Sequence, residues 1–144
     1  MPDDPGVNQL LNTRTGLMIA TAKMVAHYVA TAVQAGTPAD TINAVLLEVT
    51  ETTSIDEVFV SDADGNIEYG SHPGLNFKFP TDPGSDTQAA PFARLLAGTA
   101  NEGTATVVVQ APAPREFDGA MFQYVGVSGI VRSRIVQVGI AGGP

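Results

Sequence analysis

The sequence predicts an α+β fold: one antiparallel sheet of five strands, a long N-terminal helix on one face, and a loop with a short helix on the other. Three observations lead there. Residues 7–35 carry an uninterrupted helical apolar stripe. Residues 54–70 read as strand, tight acidic turn and strand, and three more strand-like runs close the chain. The 144 residues suffice for one domain with a real core, and 44% hydrophobic against 15% charged residues fits a compact fold rather than a disordered one. A net charge of −8 would be repelled by phosphate backbones and anionic lipid, which argues against nucleic acid as a partner. Without cysteine there are no disulfides or thiolate metal sites.

In the first helix, Leu10, Leu17 and Met24 fall seven apart, as do Leu11, Met18, Val25 and Ala32. At 1.5 Å per residue this helix would run ~43 Å, so the stripe serves either as core alone or as core plus a homodimer seam through helix 7–35. Its most apolar part, residues 16–33, carries Lys23, His27 and threonines, and reads as a soluble amphipathic helix rather than a membrane span. The acidic start, Met1-Pro2-Asp3-Asp4-Pro5, lacks the basic character of a signal peptide. Gly36 ends the helix, and Thr37-Pro38-Ala39-Asp40 starts a second over 38–52, with Thr37 as cap and Ile42, Val45, Leu46 and Val49 buried.

Val58-Phe59-Val60 is a continuous apolar run, the signature of a strand covered on both faces. Asp62-Ala63-Asp64-Gly65-Asn66 supplies the turn, and Ile67–Gly70 returns. Residues 71–86 form a long Pro/Gly-rich segment of the kind that often binds ligands. A short helix over 88–97 follows, with Phe92, Leu95 and Leu96 on its apolar side and Gly98 as its stop. Strands over 103–111, 120–128 and 133–141 complete the sheet, with a loop over 112–119 and a frayed end at Gly142-Gly143-Pro144. Alternation places Phe122 and Tyr124 on one face of the sheet, opposite Gln123 and Val125.

The long amphipathic helix leading into Val58-Phe59-Val60-Ser61-Asp62-Ala63-Asp64-Gly65-Asn66-Ile67 resembles the apolar strand, D-x-x-G turn and second strand of Cache domains. Phe122-Gln123-Tyr124-Val125-Gly126-Val127 and Arg134-Ile135-Val136-Gln137-Val138-Gly139 look like the last two strands of that family. The resemblance covers residues 7–140 and fits the single-module variety. It implies a PAS-like sensor domain of a bacterial chemoreceptor or histidine kinase. It further implies an extracytoplasmic location as part of a membrane receptor whose spans lie outside this chain, or else a soluble cytoplasmic relative. By the same resemblance the ligand is a small organic acid or amino acid, held between the sheet and the long loop with its short helix. The alternative class is a PAS- or profilin-like dimerisation or protein-interaction module without a small ligand.

Residues placed to line such a site are Tyr69, His72, Lys78, Phe79, Phe92, Arg94 and Tyr124. Arginine grips a carboxylate through parallel hydrogen bonds, so Arg94 and Lys78 compete as its holder. Helical spacing, however, puts Arg94 about 200° round from Phe92, toward water. His72 is either a pocket residue or an exposed loop residue. Tyr124 either donates to a ligand oxygen or packs as ordinary core. Asp62, Asp64 and Asn66 hint at calcium, but the glycine comes fourth and the required glutamate is missing, so a plain turn is the reading and no metal or cofactor is expected. Ser71, His72 and an acid make a triad only on paper. With no groups visibly set for acid–base or nucleophilic work, the chain does not read as an enzyme.

Overall fold

The computed structural model describes residues 5–72, 77–97, 107–116 and 118–142, with side chains from Asn12 onward. Helix α1 spans Pro5–Gln34 and α2 Ala39–Thr52. Strands follow as β1 (Glu57–Ser61), β2 (Ile67–Gly70), β3 (Val107–Val109), β4 (Ala113–Pro114), β5 (Met121–Ser128) and β6 (Ile135–Ala141). A 3₁₀ helix over Ala90–Ala97 precedes β3. The sheet is antiparallel throughout, in the order β2-β1-β6-β5-β3, with β4 pairing β5 further along the same edge. This strand order with helices on one face and a loop-borne helix on the other is a PAS-like α+β fold. The five expected strands are present. The two-residue β4 is an addition inside the loop expected over 112–119.

Central strands β1, β5 and β6 are buried on both faces, which is why their sequences run apolar almost without a break. Val58, Val60, Val125, Val127, Val136 and Val138 face α1 and α2 and meet Met18, Ala22, Val25, Val29, Ile42 and Leu46. Phe59, Phe122, Tyr124 and Ile135 face the other way and meet Phe79, Phe92, Leu95 and Val108. Alternation along β5 thus places Phe122 and Tyr124 as expected.

Over Asn12–Gln34, α1 is long and apolar enough to cross a membrane by length and composition. In this fold one side of that apolar length lies on the sheet. Leu17 and Met24, at 65% and 73% exposure, remain on its outer side. Leu10 and Leu11 belong to the helix, but their side chains lie outside the described residues. The helix closes with Gly36 at φ 74°; the Gly36 N–H reaches the Val33 carbonyl and the Thr37 N–H that of Ala32, a Schellman closure. Thr37 is engaged there and does not cap α2. The cap position is Pro38, without a side-chain bond, and its carbonyl accepts from Thr41 and Ile42.

The helix over Ala90–Ala97 is 3₁₀, not α, and starts two residues later than expected. Pro91 has no N–H to give and an eight-residue helix suits the tighter form. It seats closely on β5 because residue 126 is glycine: a Cβ there would lie 2.7 Å from Phe92 Cδ1 and 2.9 Å from Leu95 Cδ1. Ser128 Oγ donates to the Leu95 carbonyl at 2.9 Å and ties the helix end to the strand. Its predicted stop at Gly98, the predicted start of β3 at Gly103, Pro73-Gly74 in the long loop, and the end at Gly143-Pro144 lie outside the described residues.

The β1–β2 turn is a scaffold. The Asp62 carboxylate accepts from the Asp64 and Asn66 backbone N–H groups and from the Asn66 side chain. Burial pushes its pKa up, but these bonds together outweigh that and hold it below the usual aspartate value. Gly65, at φ 87°, receives the Phe79 N–H on its carbonyl at 2.8 Å, and Asn66 bridges Lys78. The turn therefore docks the segment 77–79 over the sheet. A Cβ at Gly65 would sit 2.3 Å from the Phe79 carbonyl oxygen, on backbone that cannot swing aside. Gly65→Ala is expected to lower the urea unfolding free energy by about 1–3 kcal/mol, through positive φ and overpacking together. It should also speed amide exchange at Phe79; wild-type stability in this variant would contradict the docking role.

Candidate functional site

The long loop and the 3₁₀ helix do not press flat on the sheet. Between them and strands β1, β5 and β6 lies a cavity of about 200 Å³. Its floor is Phe59, Tyr124 and Gln137, and its walls include Phe77, Pro80, Ala89 and Phe92, with Lys78 and Glu116 among its polar lining. The floor follows from register. Phe59 on β1 pairs with Gln137 on β6, and Gln137 pairs in turn with Gly126 on β5. The glycine leaves room for Phe92 above it.

At one end stands a buried polar cluster. Tyr124 Oη donates to Glu57 Oε1 at 2.8 Å, and Arg115 Nη1 donates to Glu57 Oε2 at 2.7 Å and to Tyr124 Oη at 3.2 Å. Arg115 also grips Asp118 through two parallel bonds of 2.8 Å, and its guanidinium lies 4.0 Å over the Phe122 ring. Phe122 in turn stacks on Tyr124. The reach of Tyr124 depends on Gly139, the cross-strand neighbour of both Glu57 and Tyr124. A Cβ there would lie 2.6 Å from Tyr124 Cε1. The Asp118 bond, then those from Tyr124 and Glu57, raise the Arg115 pKa against the opposing effect of burial. Burial pushes the Tyr124 phenol up, and the Glu57 charge adds to it, so Tyr124 stays a donor.

Two amides complete the lining. Gln110 donates from Nε2 to the Gln88 carbonyl at 2.7 Å, while its Oε1 is buried with no partner among the described residues. Gln137 is 5% exposed, and its side chain takes no hydrogen bond from the described residues. Buried polar groups are nearly always satisfied, so the Gln110 oxygen stands out, and Gln137 adds an amide to the cavity lining. Glu116 accepts from the Gln88 N–H and closes the same corner.

Of the residues expected to line the site, Lys78, Phe92 and Tyr124 do so. Phe79 lies just behind the wall, fully buried and in edge contact with Phe77 and Phe92. The other three lie elsewhere. Tyr69 pairs with Val60 and so faces the helices, under the Arg134 guanidinium. His72 is exposed, with Nδ1 2.8 Å from Ser71 Oγ, a hydroxyl that is itself bonded to the Val58 backbone at the edge of β1. Arg94 is exposed and donates back to the Pro91 carbonyl, as its position on the helix implies.

Sequence reasoning missed Glu57, Gln110, Arg115 and Gln137. Glu57 and Gln137 had a usable signal, since each is a polar residue inside an otherwise apolar central strand. Arg115 sits in a turn whose partners are 58 and 9 residues away in sequence, and no local pattern marks it. Among the described residues no group of three or more His, Cys, Asp or Glu could hold a metal. No family model matches the chain, and no curated protein is detectably similar to it in sequence.

Asp118 gives a pH test. The Arg115 bonds lower its pKa from 3.8 to about 2. A depressed carboxylate adds stability that is complete above the unfolded value and is lost as pH falls through the folded one. The stability advantage of wild type over Asp118→Asn is therefore expected to hold near neutrality and to shrink between about pH 4 and pH 2. Urea midpoints across that range report it. An advantage that does not change with pH would contradict the ion pair.

Proposed function

We propose that this chain is a non-enzymatic, ligand-sensing module of the PAS-like Cache type, which binds a small molecule in the cavity floored by Phe59, Tyr124 and Gln137. The observation that carries the reading is the cavity itself: a concave, aromatic-walled space with two amides in its lining, floored by a rigid sheet and roofed by loop and 3₁₀ helix. It would serve as the sensor portion of a bacterial signal-transduction receptor, set outside the cytoplasmic membrane and joined to an output module.

The route for a signal runs across β5. Tyr124 faces the cavity and its neighbour Gln123 faces α1, where Gln123 Nε2 donates to Thr15 and Arg14 Nε donates to Gln123. Arg14 also donates to the Gly142 carbonyl just after β6. A guest that shifts β5 therefore acts on α1 and the end of β6 at once. Differential affinity for two arrangements of these elements would bias the output.

A second reading, a dimerisation module, is favoured by Leu17 and Met24, exposed one heptad apart on the outer side of α1. Homodimerisation through α1 is also compatible with ligand sensing. One experiment separates the readings: a thermal-shift screen of small metabolites, paired with sedimentation. A sensor should be stabilised by about 2.7 kcal/mol at a hundredfold excess of ligand over Kd, and Ala89→Trp, which fills the cavity, should abolish the shift. A dimer stabilised by no compound would favour the interaction module instead.

A further inference from the structure

We infer that the cavity takes a neutral, flat, ring-bearing molecule that presents an N–H donor beside a carbonyl acceptor, as an aryl amide or lactam does, rather than a free carboxylate. The inference rests on reading the cavity as the ligand site.

Charge comes first. Arg115 already holds Glu57 and Asp118. The lining and its immediate ion partners carry two positive groups, Lys78 and Arg115, against three negative ones, Glu57, Glu116 and Asp118. Lys78 is exposed, so its attraction is screened by water and salt. A carboxylate entering here would lose hydration and meet a net negative surround.

Hydrogen bonding comes second. The Gln88 carbonyl can only accept, so it fixes the Gln110 NH₂ and leaves the Gln110 oxygen needing a donor. A carboxylate has no donor to offer a carboxamide oxygen, whereas an amide has its N–H. Gln137 has both a donor and an acceptor open toward the cavity and can give its NH₂ to the guest carbonyl. Tyr124 Oη is already committed to Glu57.

Shape comes third. Phe59, Phe77 and Phe92 supply apolar walls. The volume of about 200 Å³ exceeds the roughly 150 Å³ that admits benzene, leaving room for one ring with a polar substituent.

Benzamide, benzoate and toluene share a ring and differ in the features at issue, so they serve as probes for calorimetry and for NMR of the side-chain amides. The expectation is that benzamide binds at least about tenfold more tightly than benzoate, a difference of about 1.4 kcal/mol, and shifts the Gln110 and Gln137 NH₂ signals. Gln137→Leu should weaken benzamide about tenfold without weakening toluene. Should that variant not fold, Gln110→Leu, changed at a half-buried position, makes the same test. Benzoate binding as tightly as benzamide, or benzamide binding unchanged in the Leu variant, overturns the inference and leaves the cavity a ligand site. Failure of all three probes at millimolar concentration overturns both.

Discussion

The pocket side of the sheet depends on one largely buried ion pair. Glu57 begins a strand whose every residue is buried, and a carboxylate there is costly unless it is paired and hydrogen-bonded. Arg115 and Tyr124 provide both, one from each side of the carboxylate. Their reach pins the β4–β5 connection to the far strand β1, across β6, and so holds the end of the cavity open. Gly139 is the second half of that constraint: only a residue without a side chain lets Tyr124 lie across the sheet to Glu57. Phe122 and the Arg115 guanidinium stack on the same layer, so aromatic packing and charge pairing reinforce each other.

The sheet is also what separates the two cores. A layer of valines faces α1 and α2, and a layer of aromatic residues faces the loop and 3₁₀ helix. Small β-branched residues suit close helix packing; large rings bridge the wider gap toward an irregular roof and leave a cavity between them. The same alternation that makes two cores makes adjacent residues of β5 report to opposite sides. Gln123 and Tyr124 are neighbours in sequence, yet one is bonded to α1 and the other to the buried cluster. That juxtaposition gives the domain a short mechanical path from cavity to helix.

The fold was largely legible in the sequence because it rests on local periodicity. The α1 stripe, the Gly36 stop, the Asp62–Asn66 turn and the alternation of β5 all follow from spacing, and each is found where spacing put it. Thr37 was misplaced as a cap because its N–H closes the preceding helix, a choice made by three-dimensional geometry. The candidate site was only half legible. Aromatic wall residues were found because they sit on predictable faces. The charged residues were legible only in part: Arg94 and Lys78 stand out as cations beside aromatics, and Lys78 does line the cavity, but the arginine there is Arg115, brought to Glu57 by pairing between distant strands. Tyr69 was assigned to the wall, but the irregular register between Val60 and Ser61 leaves it paired with Val60 on the helix face.

Glu57 and Arg115 act as a unit at the end of the cavity. A double-mutant cycle with Glu57→Gln and Arg115→Met, followed by urea unfolding, measures this directly. Glu57→Gln leaves Arg115 paired with Asp118 alone, whereas Arg115→Met leaves the Glu57 carboxylate without its charge partner and should cost about 3 kcal/mol. The pair together should cost less than the sum by about 1–3 kcal/mol. Additivity within about 0.5 kcal/mol would mean that the two residues stabilise the fold independently, and that no ion pair between them holds the end of the cavity.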